Sequence, residues 1–270
     1  MSCKNNSCKE PLKHLQLEYH LVEHCNLNCA MCSHFSPLAR PKFASLERYS
    51  YDMSRLSALF HNRAEYIMLL GGEPLLHPAI CDFFTVTRRL FPEADIILYT
   101  NGLLLSSMDE SFWSICVQKD IHFVLTKYPI QFDYQGTNAL LNMHGINFEY
   151  CNTPGRDKQM KHMPLDVMGT QKIEQSFMNC DIGNRCVFLR DGHLFPCCVA
   201  PNIHHFNRHF GYKLLLTEQD SIDIHTEQIT PEDILSFLAH SIPFCRYCHV
   251  SARFECHPWC ITKHSVSEWT

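Results

Sequence analysis

A chain of 270 residues, 46% of them hydrophobic, carries enough apolar surface for one large core or two smaller ones. Its net charge of −5, with no Lys/Arg-rich run, excludes the basic face of a nucleic-acid-binding protein. No apolar run reaches the roughly 18 residues that span a bilayer, and residues 1–14 lack the apolar core of a secretory signal, so the reading is a cytoplasmic protein with no membrane partner.

The first expected strand, 15–23, runs into His24-Cys25-Asn26-Leu27-Asn28-Cys29-Ala30-Met31-Cys32. Three thiolates on one tight loop can hold three irons of a cubane cluster and leave the fourth iron open to a small molecule. Zinc with His34 as fourth ligand satisfies the same run, so both metals stand at this point. A helix follows, with Leu46, Tyr49, Met53, Leu56 and Phe60 spaced three or four apart. The strand 66–70 ends in Gly71-Gly72-Glu73-Pro74, and the strand 95–99 ends in Thr100-Asn101-Gly102. Both are buried-strand patterns stopped by turn-forming residues. Between them Ile80, Phe83, Phe84 and 86–90 form an amphipathic stretch. Weaker helices are expected at 108–117 and 138–144, and strands at 121–126 and 146–150. This alternation calls for parallel strands with right-handed crossovers.

From 152 to 175 the period is lost, with a turn at 153–157, and this stretch reads as a connection between domains at 15–155 and 176–260. The second half opens on Cys180. A hairpin is expected around Asp191-Gly192, with Cys197 and Cys198 directly after it. Thr230-Pro231-Glu232-Asp233 starts a helix, with Thr230 as cap and acids in the first turn. Cys245 and Cys248 stand in a C-x2-C spacing, followed by Cys256 and Cys260. Sixteen cysteines in a cytoplasmic chain, clustered this way, fit metal ligation better than disulfides.

Cysteine loop, then G-G-E-P, then T-N-G, each after its own strand, resembles the radical S-adenosylmethionine (radical SAM) enzymes over roughly the first 150 residues. Met31 departs from the aromatic residue usual before the third cysteine. The resemblance implies an α/β fold: a partial (β/α) barrel of five or six strands, with its chemistry at the C-terminal strand ends. It also implies a 4Fe-4S cluster on Cys25, Cys29 and Cys32 whose open iron takes S-adenosyl-L-methionine and yields a 5′-deoxyadenosyl radical. Gly71, Gly72, Glu73, Thr100, Asn101 and Thr126 become the expected cofactor-binding residues.

The region 180–260, with a G-x4-C spacing from Gly192 to Cys197, resembles the small Cys-rich auxiliary cluster domains called SPASM or twitch. That implies one auxiliary 4Fe-4S cluster on Cys180, Cys197, Cys245 and Cys248, with Cys186 the alternative ligand and Cys256 and Cys260 unassigned. A four-cysteine zinc site has the same ligand count.

Lys127, Tyr128 and Cys198 are the candidate catalytic residues; His34, His77 and Arg156 are weaker. The function implied is hydrogen abstraction from a small polar metabolite, such as a sugar, an aminocyclitol or an amino-acid derivative, in an oxidation or epimerisation. An external electron donor such as flavodoxin or ferredoxin is the implied partner. The alternatives are a peptide-modifying radical SAM maturase and, from another class, a zinc-stabilised binding module.

Overall fold

The computed structural model describes residues 8–151, 159–253 and 256–270; the expected turn at 153–157, and Arg156 with it, lie outside them. The first half alternates as its pattern requires: β1 (Gln16–Val22), α1 (Leu46–Leu59), β2 (Tyr66–Gly71), α2 (Ile80–Leu90), β3 (Asp95–Thr100), α3 (Glu110–Gln118), β4 (Ile121–Leu125), α4 (Tyr134–Met143) and β5 (Phe148–Tyr150). Each strand pairs in parallel with the one before it. Short polar side chains start the helices: Ser45 accepts from Arg48 N, Asp109 from Phe112 N, and Asp133 from Gly136 N.

β1 divides its side chains between two faces, as a strand must. Leu17, Tyr19 and Leu21 join the core beneath α1 and α2, with Tyr49, Met53, Phe83 and Phe84. Glu18 and His20, also buried, fall on the opposite, inner face. Polar residues on that face have no structural reason to be there unless something polar meets them.

The second half comprises β6 (Gln159–Lys161), α5 (Ile173–Asn179), β7 (Phe188–Arg190), β8 (His193–Phe195), α6 (Val199–Phe210), β9 (Ile222–Asp223), α7 (Pro231–Leu238) and β10 (Cys256–Pro258). The hairpin forms where expected, with Asp191 and Gly192 both at positive φ, 48° and 81°. Its first strand extends the large sheet. Glu18 N–H donates to Val187 O at 2.7 Å, and the strand order is β5-β4-β3-β2-β1-β7-β8-β9. The sheet is mostly parallel and is not closed on itself. β6 and β10 form a separate antiparallel pair. α7 starts on the expected Thr230 cap, with Asp233 completing a capping box. A second buried cluster gathers Phe177, Phe206 and Phe244 around the later cysteines, and it takes in Phe35 and Leu38 from the loop after Cys32. No described helix is long and apolar enough to cross a membrane.

Candidate metal and substrate centre

The loop after β1 carries Cys25, Cys29 and Cys32 to the C-terminal end of the sheet. Two strand ends hold it there. Gly72 N–H donates to Val22 O at 2.7 Å, and Glu73 N–H donates to His24 O at 3.1 Å. A Cβ on Gly72 would lie 1.9 Å from His24 O. The glycine is therefore required by the approach of one loop to the other.

Glu73 is fully buried. It accepts from Leu75 N at 3.0 Å, Thr100 Oγ1 at 2.6 Å and Asn101 N at 2.9 Å, so it fastens the G-G-E-P turn to the T-N-G turn. Burial pushes its carboxyl up to about 7, against the pull of those donors. Asn101 Nδ2 donates to Asn26 Oδ1 at 2.7 Å and lies 3.8 Å from Cys25 Sγ. All three motifs thus converge.

A cavity of about 220 Å³ opens against the three cysteines and is lined also by Gly71, Gly72, Tyr99, Asn101, Thr126 and Tyr128. Glu73 lies behind it, not in its wall. Thr126 Oγ1 is 3.1 Å from Cys151 Sγ. Tyr128 lines the same cavity, its ring 5.8 Å from that of Trp259. Lys127 turns away from this cavity, with its ammonium 4.2 Å above the Tyr150 ring and 5.7 Å from that of Tyr134.

The tail closes the loop from the other side, which no local pattern announced. Trp259 Nε1 donates to Cys29 Sγ at 3.2 Å, and Trp269 Nε1 donates to Cys32 O at 2.9 Å. Ala30 N–H donates to Cys260 O, and Thr262 N–H donates to Asn28 O. Burial pushes the Cys29 thiol up to about 11, offset in part by the Trp259 donor.

Cys180, Cys197, Cys245 and Cys248 are all buried around one enclosed gap, with Arg253 in its wall. Burial pushes the Cys197 and Cys248 thiols up to about 12 and about 11. Cys186 is not in that wall; it lies beside Cys198 and Glu18.

A single zinc ion, at about 2.3 Å from each sulfur, draws thiolates to about 3.8 Å from one another. Among the described residues, the trios of ligand atoms within 4.8 Å are Glu18–His34–Cys198 and Glu23–His204–His205. Neither cysteine set draws three ligand atoms within that distance. His34 lines the same cavity as the three cysteines, its ring 4.6 Å from that of His20, and burial lowers it to about 3. His77 caps a turn instead, accepting from Ala79 N and bonding to Ala44 O.

Between the two thiolate sets lies the inner face of β1. Glu18 is 5% exposed, and among the described residues its Oε2 has no hydrogen-bond partner; both ring nitrogens of His20 are likewise enclosed and unbonded there. Burial pushes the Glu18 carboxyl up to about 7. Cys198 and His34 complete this polar patch. Sequence reading placed Cys198 but missed Glu18 and His20; the available signal was two polar residues inside an otherwise apolar strand.

Just beyond, Glu23 accepts from Arg190 Nη2 at 2.7 Å and bonds to His205 Nε2 at 2.8 Å. Burial opposes ionisation of Glu23, but His20, 3.9 Å away, the His205 bond and the Arg190 charge hold its carboxyl well below the usual range. Arg190 also donates to Asn202 Oδ1, and Asn202 Nδ2 to Cys198 O, so this network ties α6 to the end of β1.

Residues 17–139 match a family model described as a 4Fe-4S single cluster domain. Among solved structures, BtrN in complex with AdoMet and 2-DOIA aligns with a TM-score of 0.56 at 18% identity, covering 89% of this chain and 94% of that one. Native anSMEcpe with bound AdoMet aligns with a TM-score of 0.51 at 13% identity, covering 87% and 90%. Against a histidine-tagged form of anSMEcpe with bound AdoMet the chain spans 42% of that chain, with a TM-score of 0.40 at 18% identity. No curated protein matches the sequence. At these identities the first two likenesses establish the fold.

Proposed function

We propose that this chain, a radical SAM enzyme with a SPASM-like C-terminal region, oxidises or epimerises a small polar metabolite held against the inner face of β1. The observation that carries the reading is the buried, unbonded Glu18 Oε2 and His20 ring between two thiolate sets. Buried polar atoms without partners are costly, and a substrate rich in hydroxyl or amino groups would satisfy them.

Cys25, Cys29 and Cys32 would hold the first 4Fe-4S cluster, and the cavity lined by Gly71, Gly72, Tyr99 and Thr126 would take S-adenosylmethionine. When bound, that pair supplies a 5′-deoxyadenosyl radical for hydrogen abstraction. Cys180, Cys197, Cys245 and Cys248 would hold the auxiliary cluster. Tyr128 and Trp259 shield the loop from solvent, Glu18 and His20 bind substrate, and Cys198 stands ready to return a hydrogen atom in an epimerisation. Lys127, held above the Tyr150 ring outside the cavity, would reach a substrate only by swinging inward. A reduced flavodoxin or ferredoxin would supply the electron.

Anaerobic protein incubated with S-adenosylmethionine and a panel of sugars, aminocyclitols and amino-acid derivatives tests this. A substrate-dependent rise in 5′-deoxyadenosine, with one product per turnover, supports it. Deuterium gained from D2O separates epimerisation from oxidation. A response to peptides alone would refute the substrate class.

A further inference from the structure

Arg253 is 2% exposed, and its guanidinium faces the gap among the four later cysteines. Its Nη1 donates to Cys180 Sγ at 2.9 Å, and among the described residues its enclosed Nε has no partner. The nearest carboxylate oxygen of the described residues, Asp181 Oδ1, is 3.9 Å away on a side chain 43% exposed. Asp181 is shared with Lys161. A guanidinium keeps its proton in proteins, so this is a permanent buried charge whose one counter-ion among the described residues is distant and solvated. Such a charge is strongly unfavourable alone. Four thiols are neutral and do not balance it, whereas four metal-bound thiolates do.

A second cation approaches the same ligand: Lys9 Nζ donates to Cys180 O and, at 3.0 Å, to Gly183 O. The first site is built otherwise. The donors reaching Cys25 and Cys29 are Leu27 N, Asn101 Nδ2 and Trp259 Nε1, all neutral.

We propose that Arg253 raises the reduction potential of an auxiliary cluster on Cys180, Cys197, Cys245 and Cys248, with Lys9 a weaker second charge. This rests on the reading that those four cysteines hold a cluster. The physical reason is direct: reduction adds a negative charge to a cluster in a low-dielectric pocket, and a fixed positive charge at a ligand sulfur favours the reduced form. Arg253 is thus a positioning residue for charge, acting through the thiolates.

The test uses the full chain with Cys25, Cys29 and Cys32 replaced by alanine, which isolates the second site. Iron and sulfide analysis should give about four irons per chain; a chain without iron would sink the cluster reading itself. A dye-mediated redox titration followed by electron paramagnetic resonance then compares Arg253→Gln with Arg253→Lys. Arg253→Gln should shift the one-electron equilibrium at least tenfold toward the oxidised cluster, about 59 mV. Arg253→Lys should keep most of the parent value. An unchanged midpoint in Arg253→Gln with iron retained overturns the proposal, as does an equal shift in both variants. If Arg253→Gln loses iron, Lys9→Gln decides: a lowered midpoint supports the proposal and an unchanged one overturns it.

Discussion

The two thiolate sites differ in how they are walled. The first is a short loop pinned by backbone hydrogen bonds from G-G-E-P and by the indoles of Trp259 and Trp269, and it faces an open cavity. The second is sealed inside an apolar cluster with a permanent charge in its wall. An open, neutral surround suits a cluster that must admit a small molecule. A sealed, charged surround suits one that only exchanges electrons. On the proposed reading, similar ligand chemistry would serve two tasks, set by what stands around it.

The largest effect that could break this contrast comes from the ligands. Replacing Cys25, Cys29 and Cys32 by alanine should abolish 5′-deoxyadenosine formation and remove about four of about eight irons. Cys245→Ala should leave that formation measurable and abolish substrate turnover, with circular dichroism as the fold control. If the triple variant keeps full iron, the two sites are not separate.

Next, Gly72→Val should empty the first site and spare the second, because its Cβ collides with His24 O. The readout is about half the iron with a native-like dichroism spectrum, and equal loss from both sites would count against the contrast.

Glu23→Gln should destabilise the whole chain by about 2–3 kcal/mol by removing the carboxylate from the partly buried Arg190 charge. Urea unfolding measures it, and a change below about 1 kcal/mol would show that the network does not hold α6 to β1.

A fourth effect is pH-dependent. In the iron-free protein the Cys29 and Cys248 thiols are pushed from 9.0 up to about 11. A raised folded value means that the stability they contribute is fully present below pH 9 and is lost as pH rises through about 11. Cluster-bound thiolates carry no such protons, so thermal melts of the loaded protein should be flat across that window. Parallel curves would disprove the assignment.

The smallest effect is Trp259→Phe, which deletes one donor to Cys29 and should cost about 1 kcal/mol of stability. It should slow iron uptake at the first site alone.

The legible parts of the sequence were local. Each of the three first-half motifs is a strand end plus a few residues, and the Asp191-Gly192 turn and the Thr230 cap are read within four positions. The four later cysteines, which line one gap, were singled out only through the resemblance to auxiliary cluster domains. α6 was not, because its apolar residues alternate with His204, His209 and Arg208 and it begins directly on Cys198. The wall residues were invisible for a different reason. Arg253, Trp259 and Trp269 acquire meaning only through partners far away in the chain, such as Cys180, Cys29 and Cys32. Glu18 and His20 looked like interruptions of a strand rather than its inner face. The two thiol sets are legible as chemistry, and what tells them apart is tertiary.

The hydrogen bond from Trp259 to Cys29 spans 230 positions of sequence. A ribosome therefore releases the iron-binding loop long before it releases the indole that shelters it. Throughout synthesis the three early thiols stand exposed to oxidants and stray metals, and the completed pocket exists only after residues 259–269 have docked. Nascent chains halted before residue 259 should therefore carry thiols at Cys25, Cys29 and Cys32 that an alkylating probe labels and that the released protein protects.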